Sequence, residues 1–333
     1  MDPLMQSRDD IRAGEAAELR GELAEAAQAY ASALADAAPE VIGDARYHLG
    51  RVFWRQSKYD DAAREFESAR SIALQHDLSE LRARVENGLG AIHYSRGEYT
   101  QAKACYAVAL ELSGDLIQRG RVLLNLGAIA NIEGEFESAR VHYTRSRAMS
   151  QQAGYVIGEA MALHNLGMLS ADEARWDDAE DAYRQCVQLL EQSGDRQMMA
   201  AVLVNRSELS CARERFDEAI AGCDLALSMF ADLGDETGRG EALRWKGRAL
   251  SAIGRRPEGE RFLQDSVRIA KRMGVRLLEA ESSLDLGLSC ADRGDGTQAK
   301  RWLSRALELF ESLGAQRDAE AVRVALSAWA SRD

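Results

Sequence analysis

Three prolines, Pro3, Pro39 and Pro257, are all that interrupt 333 residues. Proline removes an amide donor and clashes with the preceding turn, so its scarcity leaves the chain open to helix throughout. The five cysteines (Cys105, Cys186, Cys211, Cys223 and Cys290) form no CxxC pair and stand far apart. That spacing excludes a disulfide framework and reads as small buried hydrophobes in a reducing compartment. The five histidines make no HExxH and no cluster at metal spacing, so no metal or other cofactor is expected. No nucleophile elbow, phosphate-binding loop or dinucleotide fingerprint is present, and no catalytic residue is assigned. His164 is the one histidine to watch, and it reads first as a flank residue.

Basic charge is short as well. The formal net charge is −12, which favours solubility and argues against general nucleic-acid binding. No apolar run is long enough to span a bilayer. The opening MDPLMQSRDD carries acids where a secretory signal would carry lysines. A cytoplasmic protein is therefore expected, and arginine in excess of lysine suggests a bacterial source. What the chain does have is 46% hydrophobic and 29% charged residues, ample for a large core. Its length fits two compact domains or a repeat array.

A pattern recurs as YHLGRVF, NGLGAIH, LNLGAIA, HNLGMLS and LDLGLSC. Its small residue falls at Gly14, Gly50, Gly90, Gly127, Gly167, Ser207, Gly247 and Gly287, with spacings of 36, 40, 37, 40, 40, 40 and 40. A period in this range marks a helical repeat array. Seven residues further on stands a turn residue: Gly21, Ser57, Gly97, Gly134, Ala174, Glu214, Gly254 and Gly294. Glycine takes the left-handed conformation that ends a helix most cheaply. Next comes an alanine followed four residues later by an aromatic, as in Ala26 and Tyr30, Ala62 and Phe66, Ala102 and Tyr106, Ala139 and Tyr143, and Ala179 and Tyr183. Residues four apart share a helix face, so the small one admits the facing helix and the large one fills the space beside it.

These features resemble the tetratricopeptide repeat family, in the roughly 40-residue variety of bacterial signalling proteins and kinesin-light-chain-like adaptors. The resemblance implies an all-α, right-handed superhelical solenoid of eight helix-turn-helix repeats over 9–315. A tail (1–8) precedes it and a capping helix (316–333) follows, with Val322, Leu326 and Trp329 as the apolar stripe of the cap. The sequence departs from the family in lacking the terminal proline of each repeat. Its last two repeats are degenerate: two residues after the turn, where the others open the second helix with Leu23, Tyr59, Tyr99, Phe136, Trp176 or Phe216, they have Arg256 and Gly296, and Leu263 and Leu303 replace the later aromatic.

Helical spacing puts Leu123, Leu126, Gly127 and Ala130 on one side of their helix and Arg121, Asn125, Ala128 and Ile132 on the other. The resemblance implies that the second side lines a concave groove. Transferring the register adds Arg51, Arg55, Arg84, Met161, Asn165, Met168, Asn205, Glu208, Glu241, Trp245 and Arg248 as peptide-binding candidates. Asn125, Asn165 and Asn205 share one slot, similar to the asparagine ladders of kinesin light chains. An amide that both donates and accepts can pair with any peptide backbone; the plainer reading is a polar residue on a solvated face.

The first half of the groove presents Arg8, Arg12, Arg51, Arg55, Arg84 and Arg121 against Glu15 and Asp44. The second half presents Asp172, Glu208, Glu241, Glu281, Asp285 and Asp292 against Arg248. Such a field would orient a partner with its acidic part toward the N-terminal repeats, unless the asymmetry is chance. Met161, Met168 and Trp245 are either exposed anchors for an apolar side chain or core residues in a shifted register. The reading is a non-enzymatic scaffold that binds a peptide or helix of a partner protein, with no nucleic acid and no membrane. The alternatives are a small-ligand or signal-peptide sensor that changes shape, and a self-assembling homo-oligomer.

Overall fold

The computed structural model describes the backbone of residues 3–35 and 38–330, and the side chains of 6–35 and 38–327. Among the described residues there are helices and no strands. They run α1 (Pro3–Arg20), α2 (Leu23–Ser32), α3 (Pro39–Arg55), α4 (Tyr59–Gln75), α5 (Ser79–Ser95), α6 (Tyr99–Leu112), α7 (Leu116–Ile132), α8 (Phe136–Gln152) and α9 (Val156–Asp172). The order continues α10 (Trp176–Ser193), α11 (Arg196–Ala212), α12 (Phe216–Leu233), α13 (Glu236–Ala252), α14 (Arg256–Met273), α15 (Arg276–Asp292), α16 (Gly296–Leu313) and α17 (Gln316–Ala330). This is the helical solenoid expected of eight two-helix repeats and one closing helix. Because α1 already begins at Pro3, residues 3–8 belong to the first helix and not to a separate tail.

Every one of the eight turn positions read from the sequence has positive φ. Gly21, Gly97, Gly134, Gly254 and Gly294 do so without a side chain, and Ser57, Ala174 and Glu214 do so at φ 59°, 56° and 58°. Each turn ends the first helix of a repeat and lets the second fold back along it. A further set of left-handed glycines, Gly154, Gly194, Gly234, Gly274 and Gly314, separates one repeat from the next. After two of them an aspartate caps the new helix: Asp195 accepts from the Met198 amide at 3.0 Å and Asp235 from the Gly238 amide at 2.9 Å.

In most repeats the small residue of the first helix is a seat for the large residue of the second. A methyl group built on Gly14 would lie 2.5 Å from the Tyr30 ring, on Gly50 2.6 Å from Phe66, and on Gly127 2.4 Å from Tyr143. These rings are essentially without solvent exposure and form the core between paired helices. The degenerate repeats keep the rule with other atoms: at Gly247 the added carbon would meet Leu263 and the Gly259 carbonyl at 2.8 Å. A smaller side chain thus brings the backbones closer. In α17, Val322 is fully buried against a cluster that includes Leu309, Phe310 and Ala319, and Leu326 is partly buried there. The Trp329 side chain lies outside the described residues.

Contacts divide the chain into two compact units, Met1–Leu169 and Ser170–Asp333, the division falling within α9. In each unit a helix packs on its sequence neighbours, and first helices of adjacent repeats touch, as α3 does α5 and α13 does α15. Such nearest-neighbour packing leaves one face of the first helices uncovered.

Candidate functional site

In the first unit that uncovered face carries a cavity of about 490 Å³. Its walls are Tyr47, Arg51 and Trp54 of α3, Asn87 and Tyr94 of α5, Gln118, Arg121 and Asn125 of α7, and Tyr155 and Met161 at α9. Its floor is made by Phe66 and Tyr106, the buried rings of α4 and α6. Gly88 is what lets the floor reach the opening, since a methyl there would lie 2.7 Å from the Phe66 ring.

Two amides face each other across this cavity. Asn125 donates through Nδ2 to Oδ1 of Asn87 at 3.2 Å. This leaves the Asn87 amide nitrogen and the Asn125 carbonyl oxygen without a partner among the described residues. Arginines rest on the aromatic walls. Arg121 lies 5.6 Å from the centre of the Tyr155 ring, and its Nη2 donates to the Tyr155 hydroxyl at 3.4 Å. Arg84 lies 4.7 Å and Arg51 5.9 Å from the centre of the Tyr47 ring. A guanidinium over a ring keeps its charge while covering apolar surface.

The other predicted arginines are distributed differently. Arg84 pairs with Asp44 at 2.7 Å, Arg51 with Glu18 at 3.4 Å, and Arg12 with Asp9 at 3.5 Å. Arg55 donates to the Glu18 carbonyl at 3.5 Å and does not line the cavity. Arg8, Arg12 and Arg84 line a separate cavity of about 630 Å³ shared with Glu15, Glu40, Asp44 and Glu80. Much of the basic charge is therefore met by acids nearby, whereas Arg121 has no carboxylate partner among the described residues.

Asn165 and Met168 sit on α9 in the first unit, Asn165 half-buried and Met168 40% exposed. Asn205 belongs to the second unit, on α11, so the structure places two of the three ladder asparagines in one unit and the third in the other. Sequence reasoning missed Asn87, which stands one residue before the register position Gly88. It also missed Tyr47, Trp54 and Tyr94, because a single line of positions along each first helix was followed, and Tyr155, which precedes α9. A helix turns about 100° per residue, so the flanking positions border the same opening.

In the second unit, Glu208, Glu241 and Arg248 lie on the exposed side of α11 and α13. Trp245 does not stand open as an anchor: it is 8% exposed, covered by Arg244 at 4.6 Å and Arg248 at 5.1 Å from its ring centre. The cause is Arg244, which the register left out. It bridges Asp285 and Glu281 at 2.8 Å each and is thereby held over the indole. Asp285 is itself buried by this contact. Glu208 and Glu241 stay open to solvent on one side and Glu281 is half-buried, but the protein crowding them on the others thins their water and raises the pKa of each. Among the described residues no group of His, Cys, Asp and Glu is arranged to hold a metal, and no helix is long and apolar enough to cross a membrane.

Comparison with known proteins gives the same architecture. Residues 118–192 match the sequence model of the tetratricopeptide repeat. No curated protein matches the chain in sequence. Among solved structures, the apo form of the quorum sensor NprR from B. thuringiensis is similar with a TM-score of 0.71 and 14% identity, over 92% of this chain and 86% of that one. A Rap protein complexed with Competence and Sporulation Factor is similar at 0.64 and 12% identity, over 99% and 97% of the two chains. BtubC (BKLC) from P. vanneervenii is similar at 0.56 and 19% identity, over 66% and 92%. At these identities the likeness is one of fold.

Proposed function

Because the chain is a tetratricopeptide-repeat protein, we propose that it is a non-enzymatic scaffold whose first unit holds an extended segment of a partner polypeptide. The observation that carries this reading is the Asn87–Asn125 pair. The Asn87 NH2 group and the Asn125 carbonyl oxygen remain open on the pair, beside a cavity walled by aromatic rings. Each residue of an extended peptide offers one acceptor and one donor from its backbone, whatever its side chain. The Tyr47, Trp54, Tyr94 and Tyr155 walls then cover one apolar side chain of the segment, and Arg121 meets an acidic group next to it. The acidic part of the partner accordingly lies at Arg121, in the fourth repeat.

A second reading uses the same cavity for a free signal peptide. Its support is the fold shared with a quorum sensor. The two readings differ in whether the segment belongs to a larger protein.

Selection from a displayed library of short random peptides tests the proposal. Native protein should enrich peptides with an apolar residue beside an acid. The variants Asn87→Ala and Asn125→Ala, checked for unchanged melting temperature, should bind them roughly tenfold more weakly, as loss of a buried hydrogen-bonding partner implies. Enriched peptides that bind both variants as tightly as the native chain would place the interface elsewhere.

A further inference from the structure

The sixth repeat, α11 and α12 in the second unit, breaks the pattern at three places at once. Five repeats carry leucine before the small residue (Leu49, Leu89, Leu126, Leu166 and Leu286), but the sixth carries Arg206. The small residue is Ser207, and the place of the wedging ring is taken by Cys223. The Ser207 hydroxyl donates back to the Leu203 carbonyl at 2.8 Å, and Gly222 opposite leaves room for it, since a methyl on Gly222 would lie 2.5 Å from that oxygen. A cavity of about 390 Å³ remains, lined by Leu203, Arg206, Ser210, Ala221, Gly222 and Leu225.

The seventh repeat shows what fills the corresponding space from within. There a cation, Lys246, also replaces the leucine. Its ammonium lies 4.3 Å from the centre of the Phe262 ring and pairs with Asp224 at 2.5 Å. Phe262 stands forty residues after Gly222, so the sixth repeat has a hydrogen where the seventh has a ring. Forty residues before Asp224 stands Arg184, itself paired with Asp181, so the carboxylate is missing too. Arg206 has no carboxylate partner among the described residues. Glu218 also lines the cavity, and its carboxylate pairs with Arg215 at 3.8 Å.

We infer that the sixth-repeat cavity is a binding site for a small aromatic carboxylate, whose ring occupies the space above Gly222 and whose acid group pairs with Arg206. The ligand supplies the two groups that Phe262 and Asp224 supply next door. Apolar walls at Leu203 and Leu225 cover the ring, and the Ser210 hydroxyl stands at the same cavity as a further donor. This site is independent of the peptide cavity in the first unit.

Calorimetric titration of the full chain with phenylacetate, acetate and benzyl alcohol tests it. Phenylacetate should bind saturably. Acetate, which lacks the ring, and benzyl alcohol, which lacks the charge, should each bind at least roughly tenfold more weakly. Arg206→Leu restores the leucine of five other repeats and should weaken phenylacetate by a similar factor. The double variant Ser207→Gly, Gly222→Phe reproduces the seventh repeat, fills the cavity and should abolish binding with helix content and melting temperature retained. Absence of saturable phenylacetate binding at millimolar concentration, or equal affinity in native chain and Arg206→Leu, overturns the assignment.

Discussion

Gly127 and Gly120 lie on the same helix and respond oppositely to one added carbon. A methyl on Gly127 would penetrate the Tyr143 ring at 2.4 Å, whereas on Gly120 it would rest 3.4 Å from the Ser150 hydroxyl. Gly127→Ala should therefore destabilise by about 1–3 kcal/mol through overpacking. Gly120→Ala should be neutral or stabilising by up to about 1 kcal/mol, because alanine is the better helix former. Urea midpoints of the two variants measure the difference directly. At the turns the sign reverses. Ser57 and Glu214 hold left-handed backbone with a side chain attached, so Ser57→Gly and Glu214→Gly should each raise stability by roughly 0.5–1 kcal/mol. A drop in melting temperature in either would contradict the turn assignment. These positions were legible in the sequence because the turn follows the small residue by a fixed seven residues, whichever residue fills it.

At the scale of the helix, legibility depends on what decides a position. The pairing of glycine seat and aromatic wedge is set by spacing alone, and the structure has it at Gly14 and Tyr30, Gly50 and Phe66, and Gly127 and Tyr143. Where long side chains choose their own partners, spacing says less. Trp245 has the register of a groove residue, yet Arg244 and Arg248 close over it because Glu281 and Asp285 on the next first helix hold Arg244 in place. Arg84 likewise occupies a groove slot and spends its charge on Asp44. Asn87 was out of register by one residue, and only its bond to Asn125 brings it into the site. The capping aspartates are a simpler case. Asp195→Ala and Asp235→Ala each free a first-turn amide and should cost about 1 kcal/mol, seen as earlier loss of helical ellipticity in urea.

For the molecule as a whole, two histidines, His48 buried and His164 half-buried, set an acid limit. Burial lowers the pKa of His48 to about 4, against a smaller raising effect of Asp44, with Arg51 and Arg84 adding to the fall. His164 is lowered to about 4 by burial. The unfolded chain protonates both near the ordinary value of 6.5, so stability is lost as pH falls from about 6.5 and the loss is complete near 4. It amounts to up to roughly 3 kcal/mol for each histidine. The difference in melting temperature between native chain and His48→Gln, His164→Gln should change across that window and be constant above it. A constant difference throughout would mean that the histidines are not buried in neutral form.

The central claim is that the cavity between Tyr47, Trp54, Asn87 and Asn125 holds a polypeptide segment. Its most direct test is a photo-crosslinking amino acid introduced at Trp54, which is 41% exposed and lines the cavity, and separately at Val141 of α8, which is 47% exposed and does not. Irradiation in native lysate should crosslink a polypeptide from position 54 and not from 141, and Asn87→Ala with Asn125→Ala should abolish the product. Crosslinking from position 141 alone, or from 54 with no effect of the asparagine variants, would contradict the account.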